Sequence, residues 1–453
     1  TRIAKATKEE KWNLVKRLSY LLTHSKPAKL LAVRIVTQNK GKRTPGIDGE
    51  LWNTASDKMR ATVNLTDKQY RAQPLRRIYI PKPGKDTKRP LSIPTMYDRA
   101  MQALYGLALQ PIAETTADTR SFGFRLFRCA QDASKYAFLC LSKKGSNQWI
   151  LEGDIKGCFD NIAHDWLKEH IPMDKSILGQ FLKAGYVFDL TLYPTERGTP
   201  QGGLISPIFA NMVLDGIETT LKSRFPKMRV YLIRYADDFL VITPTKEIAE
   251  EARTVIQDFL SHRGLELSME KTQITHIDEG FDFLGWNFRK YHGKLLIKPS
   301  LKSIKSIREK IKTTVQKAQA WTQDELIRTL NPIIRGWVNY NRHIVSSQTF
   351  GDIDMYIWNT TWKWAKRRHT NKGRKWIAQK YWKSRGARNW IFQTGENELL
   401  KCSDAKIRRH SNPILEKNPY LDRRYFIDRK NRIKKQTPWI QTTFSFFALG
   451  SRP

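Results

Sequence analysis

Cysteine is scarce. Cys129, Cys140, Cys158 and Cys402 are the four in 453 residues, with no CxxC pair and no Cys/His cluster in the sequence, so neither a disulfide framework nor a structural zinc site is indicated. There is no run of about 18 apolar residues to span a bilayer. No signal-like apolar segment stands near the start, so the expectation is a soluble, cytoplasmic protein with no membrane partner. Acidic residues are also in short supply: 43 Asp and Glu face 80 Lys and Arg, a net charge of +37. Such a deficit implies a polyanionic partner, nucleic acid ahead of a membrane surface. No internal repeat or low-complexity tract is visible. What is plentiful is hydrophobic and aromatic material, 40% of the chain with 14 Trp, 16 Tyr and 20 Phe, enough for several globular cores.

The positive charge is concentrated late. From Trp286 onward 37 Lys and Arg face 11 Asp and Glu, whereas the residues before it hold 43 against 32. Ten of the 14 tryptophans share that last third, eight of them between Trp321 and Trp390, as in TWKWAKRRH. Basic residues interleaved with aromatics suit phosphate neutralisation with base stacking. The same tryptophans equally suit helix core, with the charges as a solvated face.

Periodicity organises the chain into three modules. Residues 1 to about 40 look helical, with Trp12, Leu14, Val15, Leu18, Leu21 and Leu22 as apolar positions. LRRIYIPKPG reads as a strand entering a turn and GKDTKRPLSIP as its return arm. Asp98 to Ala117 is helical, and WILEGDIKGCFDNI is a strand ending in a carboxylate. LISPIFANMVLDGIETTL reads as one helix with Ser206 as N-cap and Pro207 first inside it, and KEIAEEARTVIQDFLSHRG as an amphipathic helix stopped at Gly264. FDFLGWNF and KLLIKPS read as strands. From about Ser300 to Arg368 the chain turns helical and basic, and a looser basic segment follows. The spans expected are therefore 1–299 mixed α/β, 300–369 helical and 370–453 a basic appendage.

One stretch contradicts its surroundings. YLIRYADDFLVIT places Asp237 and Asp238 amid β-branched and aromatic residues that ask for burial, although Asp is a poor strand former and an unpaired buried carboxylate is costly. If the stretch is a β-hairpin with Ala236 and Asp237 at its tight turn, both acids emerge at a sheet rim, where Asp154 would join them. Three carboxylates so close raise one another's pKa unless a divalent cation neutralises them. Oxygen ligands at a rim suit Mg²⁺, and two such ions can activate a 3′-hydroxyl and stabilise a pyrophosphate leaving group. A DD pair alone is more simply a solvated turn.

The order of nine stretches removes that ambiguity. GIDG (46–49), RRIYIPKPG with KRPLSIPT (76–95), SFGFR (121–125), DIKGCFDNI (154–162), GTPQGGLISPIFANMVLD (198–215), YADD (235–238), LELSMEKTQI (265–274), FLGW (283–286) and RGWVNYNR (335–342) follow one another. In this the chain resembles the group II intron-encoded proteins, reverse transcriptases and maturases, over nearly all its length. The resemblance implies an α+β right-hand polymerase, fingers and palm with a small antiparallel palm sheet, then an α-helical thumb or maturase domain and a basic DNA-binding region.

Carried over position by position, the resemblance implies Asp154 and Asp237 as ligands of two Mg²⁺, Asp238 as third acid, and the Ile155 carbonyl completing one shell. Lys82 and Arg89 would grip the dNTP triphosphate, and Phe159 would sit beneath the sugar and reject a 2′-hydroxyl. Gln201 with Gly202 and Gly203 would pack on the incoming nucleotide, and Lys271 would protonate the leaving group. Arg335, Trp337, Trp362, Lys363, Trp364, Lys366, Arg367 and Arg368 would meet RNA or DNA. The implied partners are intron RNA, a DNA target or primer and dNTPs. An RNA-binding splicing cofactor with vestigial polymerisation is the competing reading, and intact acids favour the live polymerase. Beyond Cys402 no cysteine and after His410 no histidine remain for an HNH endonuclease, and the tail TPWIQTTFSFFALGSRP does not match the family.

Overall fold

The computed structural model describes residues 1–81, 87–395 and 397–436; Lys82 and the tail TPWIQTTFSFFALGSRP lie outside them. The chain divides into two compact units. The first holds residues 1–133 and 149–274 with the described residues from 413 onward, and the second holds 134–148 and 275–412.

In the first unit, the organising element is the helix Met96–Thr116, buried along almost its whole length. Helices Arg2–Lys8, Trp12–His24 and Lys26–Gln38 pack on it, but only part of their apolar content goes inward. Val15 and Leu18 are buried, whereas Trp12, Leu14 and Leu21 are exposed. Thr95 caps the long helix by accepting from the Asp98 N–H at 3.1 Å. Two strands, Leu75–Pro81 and Lys88–Ile93, form the expected antiparallel arm, with Arg76 opposite Ile93 and Pro81 opposite Lys88.

A second sheet in this unit sets Tyr231–Tyr235, Asp238–Thr243 and Trp149–Asp154 side by side. Both pairings are antiparallel, with Tyr235 opposite Asp238 and Asp154 opposite Asp238. Phe239 lies over Gly153, where a Cβ would come within 2.1 Å of its ring; only glycine fits. The helix Lys246–Ser261 buries Ala249, Ala252, Ile256, Phe259 and Leu260, leaving Ile248 and Val255 half-buried at the margin of that face.

One expected helix is two. LISPIFANMVLDGIETTL breaks into Ser206–Leu214 and Ile217–Arg224, because Asp215 leaves helical geometry and Gly216 adopts φ +106°. Ser206 is the first helical residue and not the cap, and its hydroxyl donates to the Pro200 carbonyl at 2.9 Å.

The second unit joins two pieces. FDFLGWNF is a hairpin instead of one strand: Phe281–Phe283 and Trp286–Tyr291 pair with Phe283 opposite Trp286, turning at Leu284 and Gly285, both at positive φ. Lys294–Pro299 extends that sheet. Trp286 is fully buried; its indole N–H donates to Asn341 Oδ1 at 3.0 Å and its ring stacks on Tyr340 at 4.6 Å. FLGW and RGWVNYNR are thus the two sides of one joint. Helices Leu301–Lys317, Gln323–Asn341 and Ser347–Arg368 follow, then a short helix Arg374–Tyr381 and a hairpin of Trp382–Arg385 with Arg388–Phe392.

Candidate active site and nucleic-acid surface

The acidic rim is built by the hairpin. Ala236 and Asp237 form its turn, and Ala236 takes φ +58°, a conformation that costs an L-residue roughly 1–2 kcal/mol. What holds it is close packing. A Cβ on Gly123, in SFGFR, would stand 2.3 Å from the Ala236 nitrogen, so this glycine lets the two backbones meet. Ser121 bridges Arg234, the Phe122 N–H donates to the Arg234 carbonyl at 2.8 Å, and the Arg234 N–H donates to the Arg120 carbonyl at 3.0 Å.

Beneath the turn lies a buried charge cluster. The fully buried Arg234 guanidinium donates to the Asp215 carboxylate and, at 3.1 Å, to Asn211 Oδ1. Asp118 accepts the N–H groups of Gly216 and Glu218 at 3.1 and 3.2 Å, and Arg125 pairs with the buried Glu114 at 2.9 Å. Burial pushes Asp215 up to about 6, against the pull of Arg234 and Arg125. The break after Leu214 therefore has a cause: Asp215 must turn inward to meet Arg234. Nothing in the periodicity marks Arg234 as an anchor. A lone cation on an apolar strand just before two acids was the available signal.

Asp154, Asp237 and Asp238 are each half-buried. The LELSMEKTQI stretch is laid against the Asp154 strand end, with the Lys156 N–H donating to the Glu266 carbonyl at 2.9 Å and the Ser268 N–H to the Asp154 carbonyl at 2.8 Å. That pairing delivers Lys271, whose ammonium sits 2.5 Å from Asp154 Oδ2. The hydrogen bond to Asp154 holds Lys271 above the usual lysine range, Asp238 and Asp237 adding to the effect. A cation already stands among these acids, as the chemistry of the donor set requires. Ile155 is buried and bridges Leu267.

The described residues expected on the nucleotide side, Arg89, Phe159, Gln201, Gly202 and Lys271, belong to the same unit. Phe159, in the helix Cys158–Asn161, is half-buried and meets Phe124 edge-on at 6.4 Å. Gln201 donates through Nε2 to Asp160 at 2.8 Å, and its carbonyl accepts from Ser92 at 2.7 Å. Gly202, at φ +115°, passes so close to the Ser92 carbonyl that a Cβ would lie 2.5 Å from its oxygen. The QGG loop is thereby fastened to the strand carrying Arg89, which is exposed.

Three family models divide the chain. The N-terminal domain of reverse transcriptase matches residues 1–65, reverse transcriptase (RNA-dependent DNA polymerase) 80–288, and the group II intron, maturase-specific domain 304–382. Protein YkfC of Escherichia coli strain K12 is 33% identical over 304 residues, 56% of this chain and 78% of its own. The chain belongs to the group II intron-encoded reverse transcriptase and maturase family. The group II intron-encoded protein LtrA of Lactococcus lactis is 30% identical over 57% of this chain, which spans 54% of that relative. A maturase-like protein of Euglena gracilis is 26% identical over 72% of this chain and 70% of its own. A solved telomerase from Candida albicans overlaps 70% of this chain and 67% of that one at TM-score 0.39 and 14% identity. An RNA-directed polymerase domain carried with a maturase domain makes this an RNA-binding enzyme of a divalent-metal-dependent kind. Among the described residues no helix is long and apolar enough to cross a membrane.

Within the maturase region the tryptophans separate into two kinds. Trp364 is core: it is 5% exposed, and its indole N–H donates to the Ala318 carbonyl at 2.7 Å, so it does not reach a base. Trp337 is half-buried, donating to Ser303 Oγ at 3.1 Å. Trp362 is half-buried beside Trp358, the two rings stacked at 5.6 Å. Arg335, Lys363, Lys366, Arg367 and Arg368 are exposed. Arg368 nevertheless has local work, donating to the Gln319 and Trp321 carbonyls at 2.9 and 2.6 Å.

Proposed function

We propose that this reverse transcriptase serves a mobile group II intron, binding the intron RNA, assisting its splicing and copying it into DNA from a primer at a cleaved target site within a ribonucleoprotein. The observation that carries the reading is Asp154 opposite Asp238 across one strand pair, with Asp237 in the adjoining turn. A chain that only held RNA would have no use for three acids facing a polyanion. Two Mg²⁺ fit this donor set, held by Asp154, Asp237, Asp238 and the Ile155 carbonyl. When bound they would supply charge neutralisation at the reacting phosphate and a more acidic primer hydroxyl. The chain's own residues do the rest. Arg89 and Lys82 draw in the triphosphate, Gln201 and Gly202 floor the base and sugar, and Phe159 stands under the 2′ position. Lys271, already protonated, is placed to leave Asp154 for the pyrophosphate as its counter-ion and proton donor. Residues 1–299 would act as fingers and palm, 300–369 as thumb, and 370–453 in DNA contact.

Asp237→Ala is the test. Extension of a DNA primer on an RNA template should fall by more than the roughly 10- to 100-fold that removing a ligand's outer partner costs, with RNA affinity and splicing assistance unchanged. Undiminished extension would sink the assignment. Phe159→Ala should raise ribonucleotide incorporation relative to dNTP by up to about a hundredfold; an unchanged ratio makes Phe159 a packing residue.

A further inference from the structure

The second unit carries an open cavity of about 500 Å³ lined by Trp358, Trp362 and Trp390 with Arg374, Lys375 and Gln379. Its volume is that of a small-ligand site, and its walls are unusual. Trp358 and Trp362 lie one turn apart on the same helix with rings within 9° of parallel, and Trp390 stands at 79° to Trp358, 6.2 Å away. Two rings are thus stacked and the third stands upright to them. Trp390 is held outward on a hairpin: its φ is +61° and it is 53% exposed. A surface tryptophan in a costly backbone conformation is more than incidental filling.

The cations point the same way. Arg374 and Lys375 occupy the first turn of the helix Arg374–Tyr381, which has no acidic residue there and no side-chain cap. Positive side chains at the positive end of a helix dipole are unfavourable unless an anion shares the site. Aromatic faces for a ring beside paired cations for a phosphate are the two halves of a nucleotide.

We infer that this cavity receives one unstacked nucleobase of single-stranded RNA, its ring against the tryptophans and its phosphate at Arg374 and Lys375. RNA is favoured over DNA because every lining residue except Trp390 lies inside the maturase-specific match, 304–382. The inference rests on the RNA-binding reading above and adds to it a defined pocket.

The probe is a short single-stranded RNA in which every adenine is 2-aminopurine, bound to the full chain. Stacking should quench its fluorescence. Trp390→Ala should lose most of the quench and weaken binding by about five- to a hundredfold, while Trp390→Phe retains both. Arg374→Gln with Lys375→Gln should lower the slope of log affinity against log salt by about 1.4. A folded Trp390→Ala protein with unchanged quench and affinity would overturn the pocket. Should that variant lose its thermal transition, the paired charge variant decides, and an unchanged slope overturns the inference. A loss confined to DNA of the same sequence would overturn the assignment to RNA. Wild-type protein that binds the RNA without quenching defeats the pocket alone, whereas failure to bind any RNA defeats the RNA-binding reading itself.

Discussion

The two units hold charge in opposite ways. In the first, arginines are buried and spent internally: Arg234 on Asp215, Arg125 on Glu114, Arg429 on the buried Asp132. In the second, most cations stand at the surface around half-buried tryptophans, and the helical core sets Trp364, Trp382, Tyr381, Phe350 and Phe392 among aliphatic residues. Buried, paired charges fix position, because removing one leaves the other stranded. Exposed charges add reach toward a polyanion and cost little to alter. The first arrangement suits acids that must be placed at a turn; the second suits a surface that must grip RNA.

Breaking the buried side should have the largest effect. Arg234→Met strips the buried Asp215 of its counter-charge, and denaturant unfolding above neutral pH should show a loss of roughly 3–5 kcal/mol. Adding Asp215→Leu should restore most of it; equal losses in the single and double variants would show that the pair does not act as a unit. The single variant also has a pH signature. A buried acid whose folded pKa is raised takes its proton more readily folded than unfolded, so its contribution is lost as pH rises and regained as pH falls. Asp215 is already pushed up to about 6, and losing Arg234 raises it further. The deficit of Arg234→Met should therefore shrink as pH falls toward about 6 and be largely gone below it.

What the sequence discloses divides along the same line. The YADD hairpin, its two-residue turn and the strand ending at Asp154 are legible because alternation and turn residues are local signals. The break at Asp215–Gly216 is not, since apolar spacing continues across it and its cause is Arg234, 19 residues further on. FDFLGWNF fits a strand and a hairpin equally by period, and what decides is the docking of Trp286 on Asn341 and Tyr340. The segment 413–436 is tied to the rest of the first unit by Arg429, whose guanidinium donates to the Phe127 carbonyl at 3.1 Å and to Asp132 at 2.5 Å, and by Asn418, which donates to Thr115 Oγ1 at 3.1 Å, partners some 300 residues away in sequence. No composition reading reaches that far.

Tryptophan substitutions sharpen the contrast inside the second unit. Trp364→Ala removes a buried ring and its hydrogen bond and should cost about 3–5 kcal/mol, read as a lowered Tm. Trp362→Ala, at a half-buried ring lining the cavity, should cost about 1 kcal/mol and act mainly on RNA affinity. Equal thermal losses would place both rings in the core and leave the aromatic surface to Trp358 and Trp390.

The smallest effect expected per residue belongs to the exposed cluster Lys363, Lys366, Arg367 and Arg368. Each cation that neutralises a phosphate on single-stranded RNA contributes about 0.7 to the slope of log affinity against log salt. Four independent contacts would give about 2.8. Arg368 is already engaged, however, by the Gln319 and Trp321 carbonyls and by the face of Trp364 at 4.7 Å. Neutralising all four to Gln should therefore lower the slope by about 2, with Lys363, Lys366 and Arg367 supplying it. Arg368→Gln alone should leave the slope unchanged and lower Tm, because its guanidinium ties the end of the helix Ser347–Arg368 to the loop after Lys317. A slope change from Arg368→Gln as large as from Lys363→Gln would mean that it leaves those carbonyls for phosphate when RNA binds. No slope change in the fourfold variant would move the RNA-gripping surface to Arg374 and Lys375.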